Sequence, residues 1–97
     1  MISDLSPQRV GPFLIQRVRL DYPSAARHDV FPFVIKKDTL VLVTGGTLYT
    51  TVGDIKYAEA KGAIRYLRAG DRVYFTATKA FTDMFFEYAE FIMISGG

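Results

Sequence analysis

The chain is punctuated at short intervals by turn-forming residues, and the segments between them alternate apolar with polar. Turn signals fall at 21–24, 37–38, 45–46, 53–54, 61–62 and 69–71. Glycine supplies positive φ there, and Asp and Ser bond their own backbone. The intervening runs of five to eight residues are rich in Val, Ile, Thr, Tyr and Phe. This pattern predicts strands at 13–20, 30–36, 39–44, 47–52, 55–60, 63–68 and 72–78, joined as a small antiparallel barrel or sandwich. In the first of these, Phe13, Ile15, Arg17 and Arg19 share one face, while Leu14, Gln16, Val18 and Leu20 share the other. Residues 39–44 do not alternate, which predicts a strand buried on both faces. Pro32 places its own run at an edge or a bulge.

Residues 81–94 read two ways. Phe81, Met84, Phe85, Tyr88, Phe91 and Ile92 recur at helical spacing, opposite Asp83, Glu87 and Glu90, with Thr82 as cap and Gly96 as terminator. The same aromatic and β-branched residues favour a closing strand. The expected fold is therefore mainly β, with a C-terminal helix packed on it as one option. It forms a single domain over 1–97, with an extended N-terminal arm at 1–12.

Composition narrows the chemistry. Twelve basic and ten acidic side chains are interspersed, for a net charge of +2. The nearest approaches to a basic cluster are Arg17 with Arg19, and Arg65 with Arg68 and Arg72. Neither forms the one-sided footprint that nucleic acid requires. Residues 1–10 lack the apolar run of a secretory leader, and no segment approaches the ~20 apolar residues of a membrane helix. Neither observation assigns a compartment.

There is no cysteine and a single histidine, His28. His28 and Asp29 point to opposite faces of an extended chain, so they make a poor acid–base pair. Zinc, copper or non-haem iron needs several His or Cys ligands, and the carboxylates stand singly in turns. No serine lies in a nucleophile elbow. Thr44-Gly45-Gly46-Thr47 lacks the Lys and the following helix of a phosphate loop, and is expected to be a hairpin turn. No catalytic residue, metal or cofactor is expected, and the chain is read as a non-enzyme.

Eight Phe and six Tyr remain to be placed. Mid-strand tyrosines serve as core or rim residues, or as stacking platforms for a ligand. Tyr49, Tyr66 and Tyr74, with Phe86, are candidates for lining a binding pocket. Phe13, Phe31, Phe33, Phe85, Tyr88 and Phe91 are candidates for a protein interface.

Three segments taken together resemble the cupin barrel. They are Leu42-Val43-Thr44-Gly45-Gly46-Thr47-Leu48-Tyr49, Val52-Gly53-Asp54, and Leu67-Arg68-Ala69-Gly70-Asp71-Arg72-Val73-Tyr74-Phe75. The likeness lies in a strand ending in Gly, a short hairpin, and Leu-x-x-Gly-Asp leading into a strand. It covers about a third of the chain. It implies a small β-barrel, but not the family's metal chemistry. The family's two histidines and glutamate near the first motif, and its histidine after the second, are not matched: His28 is followed by Asp29-Val30, and no histidine follows Gly70-Asp71.

Two functions fit these observations. One is a structural or assembly module that associates with copies of itself or docks on a larger particle, such as a virion head or tail. The alternative is a metal-free, cupin-like domain that binds or senses a small molecule.

Overall fold

A computed structural model describes residues 2–4, 7–21, 33–76 and 88–96. These residues form nine strands: β1 (Ile2–Asp4), β2 (Gln8–Val10), β3 (Phe13–Asp21), β4 (Phe33–Val34), β5 (Thr39–Val52), β6 (Ile55–Ala60), β7 (Ile64–Leu67), β8 (Arg72–Thr76) and β9 (Tyr88–Gly96). Every strand pairing is antiparallel.

The architecture turns on β5, a single strand of 14 residues that belongs to two sheets. Its first half pairs with β7 on one side and β9 on the other. The next strand beyond β9 is β3, which carries β1 and β2 on its far side. The second half of β5 pairs with β6 and β8, and β8 carries β4. Between the halves the register slips: Val43 faces Phe91 but Gly45 faces Glu90, so Thr44 is the extra residue of a β-bulge. A bulge increases local twist and bends its strand, and here the bend carries the chain from one sheet to the other.

This corrects the expectation of a hairpin turn at Gly45-Gly46. The two glycines lie within a continuous strand because they pack against β9. Gly46 has φ +66°, and a Cβ placed on it would come within 1.8 Å of the Tyr88 carbonyl oxygen. Only glycine fits at that point.

Residues 39–44 also differ from expectation. Thr39, Val41 and Val43 are buried, whereas Leu40 is exposed and Leu42 half-buried. The strand does alternate, but both of its faces are apolar, so hydropathy conceals the alternation. The strands at 13–20, 55–60, 63–68 and 72–78 match β3, β6, β7 and β8 to within two residues over their described parts. The helical option fails over 88–94, because β9 pairs along its length with β3 and with β5. Two ladders outweigh helical periodicity. Residues 81–87 and 77–78 lie outside the described residues. So do 30–32 of the 30–36 run, including Pro32. Of the segment 1–12, residues 2–4 and 8–10 pair with β3.

The core lies between the sheets. Leu20, Val41, Val43, Leu67, Ala89 and Phe91 from one sheet meet Leu48, Val73 and Phe75 from the other, with Ile35 beside them. The rings of Phe75 and Phe91 approach to 4.9 Å between centroids, tilted by 49°, a geometry favourable for aromatic pairs. One edge of the sandwich is closed by charge. Arg65 of β7 donates from Nε and Nη2 to the two carboxylate oxygens of Glu59 on β6, each at 3.0 Å. Its guanidinium also lies 3.6 Å from the centroid of the Tyr57 ring. The Glu59 carboxylate holds Arg65 still further in its charged form, and the bidentate geometry joins the two sheets.

Thr50 and Thr51 are buried, and neither Oγ1 finds a hydrogen-bond partner among the described residues. A buried hydroxyl left unpaired costs free energy. Thr50→Val is therefore expected to raise stability by up to about 1 kcal/mol, read as a higher urea midpoint.

Candidate functional site

The inner face of the first sheet is built of cross-strand rows. One row runs Arg9, Leu14, Ser95, Thr39, Leu67 across β2, β3, β9, β5 and β7. Residues directly opposite in a ladder point to the same side, so this row lies at one open end of the sandwich. Segment 34–37 forms the opposite wall. It is fixed to the turn between β7 and β8: Ile35 N–H donates to the Asp71 carbonyl at 2.9 Å, and Gly70 N–H donates to the Ile35 carbonyl at 2.7 Å. The Thr39 hydroxyl donates to the Lys37 carbonyl at 2.7 Å, which ties that wall to β5.

These elements enclose an open-mouthed cavity of about 360 Å³. Leu14, Val34, Ile35 and Met93 supply its apolar surface, and Thr39 and Ser95 supply hydroxyls. Arg9, Lys36 and Lys37 supply three cations, and among the described residues no carboxylate lines it. The size is that of a small-molecule site, an apolar pocket with a few polar groups placed at one end. Three cations without a counter-carboxylate favour an anion.

The described acids are engaged elsewhere or solvated. Asp38 accepts from Ala69 N–H at 2.9 Å and from the Tyr66 hydroxyl at 2.7 Å. Glu59 meets Arg65, and Glu90 meets Arg19 at 3.0 Å. Asp71 accepts from Arg68 N–H, and Asp54 is exposed in a turn.

A cupin metal centre does not fit this chain. Among the described residues no three His, Cys, Asp or Glu side chains gather where a metal could be held. The inner rows that follow the mouth carry Val18, Val41, Val43, Phe91 and Met93. With one histidine in the sequence, a multi-histidine centre cannot be built.

Of the sequence-derived pocket candidates the structure brings only Tyr49 and Tyr74 together, as diagonal neighbours across β5 and β8. Tyr49 and Tyr74 are half-buried and lie on the second sheet, on the face opposite Leu48, Val73 and Phe75. Tyr66 lies on the outer face of the first sheet, and none of the three lines the cavity. Phe86 lies outside the described residues. Among the interface candidates, Phe91 is corrected: it is 1% exposed and belongs to the core, because it sits on the inward parity of β9. Phe13 is exposed, and Tyr88 is half-buried beneath the Arg19 guanidinium, which lies 4.5 Å from its ring centroid. Phe33 is in β4, and Phe31, Phe85 and His28 lie outside the described residues. Sequence reasoning missed Arg9, Lys36 and Lys37. Only the adjacency of Lys36-Lys37 to an apolar run hinted at them.

Asp38 and Tyr66 shift each other's titration in opposite directions. The Ala69 N–H, and then the Tyr66 hydroxyl, hold the Asp38 carboxyl below its ordinary value. The Asp38 carboxylate in turn raises the Tyr66 phenol. A carboxyl lowered by folding contributes stability above its unfolded value and loses it as pH falls through its folded value. The raised phenol contributes below its unfolded value and loses that as pH rises through its folded one. Asp38→Asn is expected to move the Tyr66 titration toward lower pH, as followed by ultraviolet absorbance of the tyrosinate. An unchanged titration would contradict the pairing.

Two antiparallel sheets sharing a bent strand, with an open mouth between them, define the double-stranded β-helix of the cupin barrel. Solved cupins show the same fold. A cupin superfamily protein of Desulfitobacterium hafniense superposes with a TM-score of 0.73 at 12% identity, over 99% of this chain and 77% of that one. An RmlC-like cupin family protein with a double-stranded β-helix fold, from Methanocaldococcus jannaschii, gives 0.69 at 12% identity, over 99% and 78%. The EutQ protein of Clostridium difficile gives 0.70 at 15% identity, over 98% and 67%. No protein-family model and no curated protein matches the sequence. The likeness is one of fold, and that fold is compatible with enzymes and non-enzymes alike.

Proposed function

We propose that this chain is a metal-independent binding or sensing domain that takes a small organic anion in the mouth of its barrel. The observation that carries the reading is the cavity of about 360 Å³, in which Arg9, Lys36 and Lys37 stand over an apolar floor with no acid among them. The cations attract a carboxylate or phosphate, and Arg9 offers a fork suited to two of its oxygens. The Ser95 hydroxyl can donate to it, while the Thr39 hydroxyl is held by the Lys37 carbonyl, and Leu14 and Met93 take its apolar part. The cupin-fold neighbours support this reading over a particle component.

Isothermal titration against small mono- and dicarboxylates and sugar phosphates, with neutral sugars alongside, tests it. Anions are expected to bind and neutral sugars not. Arg9→Ala is expected to weaken binding by about tenfold or more, the loss of one charge-assisted contact, and added salt should weaken it further. Equal binding of neutral sugars, or no binding by any anion, would refute the proposal.

A further inference from the structure

The cations of the mouth stand at its two ends. Arg9 begins the row that runs Arg9, Leu14, Ser95, Thr39 across β2, β3, β9 and β5. Lys36 and Lys37 belong to the far end, because the Thr39 hydroxyl donates to the Lys37 carbonyl at 2.7 Å. Arg9 and Thr39 are three strands apart in the register, or about 14 Å between backbones along the sheet. Both ends line the same cavity of about 360 Å³.

Each end is held in place by backbone. β2 pairs with β3 on one side, and hydrogen bonds from Ile35 to residues 70–71 fix the 34–37 wall on the other. Between the ends the lining is apolar. Leu14 stands opposite Arg9, Met93 lies one two-residue step from Ser95 on β9, and Ile35 is on the 34–37 wall. The lining therefore runs from cation through apolar surface to cation. A single carboxylate held at one end leaves the cation of the other end over that apolar surface, too far away to share.

We infer that the mouth selects an organic dianion whose two acidic groups lie at opposite ends of a short apolar chain, an α,ω-dicarboxylate. It does so over a monocarboxylate, and over a dianion whose charges share one carbon. The inference rests on the anion-binding reading above and names the class of anion. Arg9 takes one carboxylate through its fork of N–H donors, and the lysines take the other. The methylene chain lies on Leu14 and Met93. A site that pairs two charged groups discriminates against a ligand that brings only one, because its second donor is then left without a partner.

Isothermal titration of the full chain with glutarate and adipate, set beside valerate, hexanoate and ethylmalonate, tests the inference. Valerate and hexanoate match the two dicarboxylates in carbon count but carry one carboxylate. Ethylmalonate is an isomer of glutarate with both carboxylates on one carbon. The better linear dicarboxylate is expected to bind at least ~10-fold more tightly than the monocarboxylate of its length and than ethylmalonate, the increment of one charge-assisted contact. Arg9→Ala, and separately Lys36→Ala with Lys37→Ala, should each bring the dicarboxylate down to the affinity of the monocarboxylate, with the far-ultraviolet circular dichroism of the β fold retained. Equal binding of dicarboxylate and monocarboxylate, or ethylmalonate matching glutarate, overturns this inference and leaves the anion site standing. A preference that survives either substitution also overturns it. Binding of none of these anions overturns both readings.

Discussion

Gly46→Ala is expected to unfold the protein or remove most of its stability, whereas Gly53→Ala costs about 1 kcal/mol. Both glycines have positive φ, +66° and +59°, so both substitutions carry the strain of a side chain in the left-handed region. They differ in their surroundings. A Cβ at Gly53 meets nothing within 4 Å, while one at Gly46 meets the backbone carbonyl of Tyr88, with the carbonyl oxygen at 1.8 Å and the carbon at 2.7 Å. Backbone cannot rotate away as a side chain can, so β9 must separate from β5 at the bulge. That contact fixes where β5 leaves one sheet for the other, and the loss should exceed about 4 kcal/mol, a large part of the stability of a domain this small. Urea denaturation followed by circular dichroism measures both variants. If Gly46→Ala were no worse than Gly53→Ala, the close approach of β5 to β9 would be wrong.

Phe91→Ala is the second large effect, expected at about 3–5 kcal/mol. The ring is 1% exposed and faces Phe75 of the other sheet. Truncation removes apolar burial and leaves a cavity between two sheets whose strands are fixed by their ladders, so little collapse can fill it. Phe13, exposed on β3, gives the contrast: Phe13→Ala should change monomer stability by no more than about 0.5 kcal/mol. A small loss for Phe91→Ala in the same denaturation series would place this side chain at the surface, where an interface residue would stand.

These two residues show how far the sequence was readable. The alternation of 13–20 and 55–60 declared β3 and β6 because each has one polar and one apolar face. It failed at 39–44, where Leu40 and Leu42 make the solvent-side face as apolar as the core. Gly45-Gly46 carries turn chemistry by every local rule, and what makes it a bulge is a carbonyl some forty residues away. Tyr88, Phe91 and Ile92 fit a helix by their spacing and a strand by their residue types, and only pairing with β3 and β5 decides. The resemblance of residues 42–75 to the cupin barrel implied the fold that the structure shows. The cavity at the mouth was the least readable feature. Arg9 and the Lys36-Lys37 pair are far apart in the chain, and they converge only through the pairing of β2 with β3 and the tie between Ile35 and the β7–β8 turn. The tyrosines drew attention by type, but strand parity puts Tyr66 on the outer face of the first sheet and Tyr49 and Tyr74 on the second sheet, on the side away from Leu48, Val73 and Phe75.

The central claim is that the barrel mouth takes an organic anion, and residue-resolved NMR titration of the full chain with the best-binding carboxylate tests it most directly. Amide shifts are expected to saturate together and to cluster at Arg9, Lys36, Lys37, Thr39, Met93 and Ser95, the residues that line the cavity. Shifts gathered instead around Tyr49 and Tyr74, or spread over the surface lysines without saturation, would contradict it.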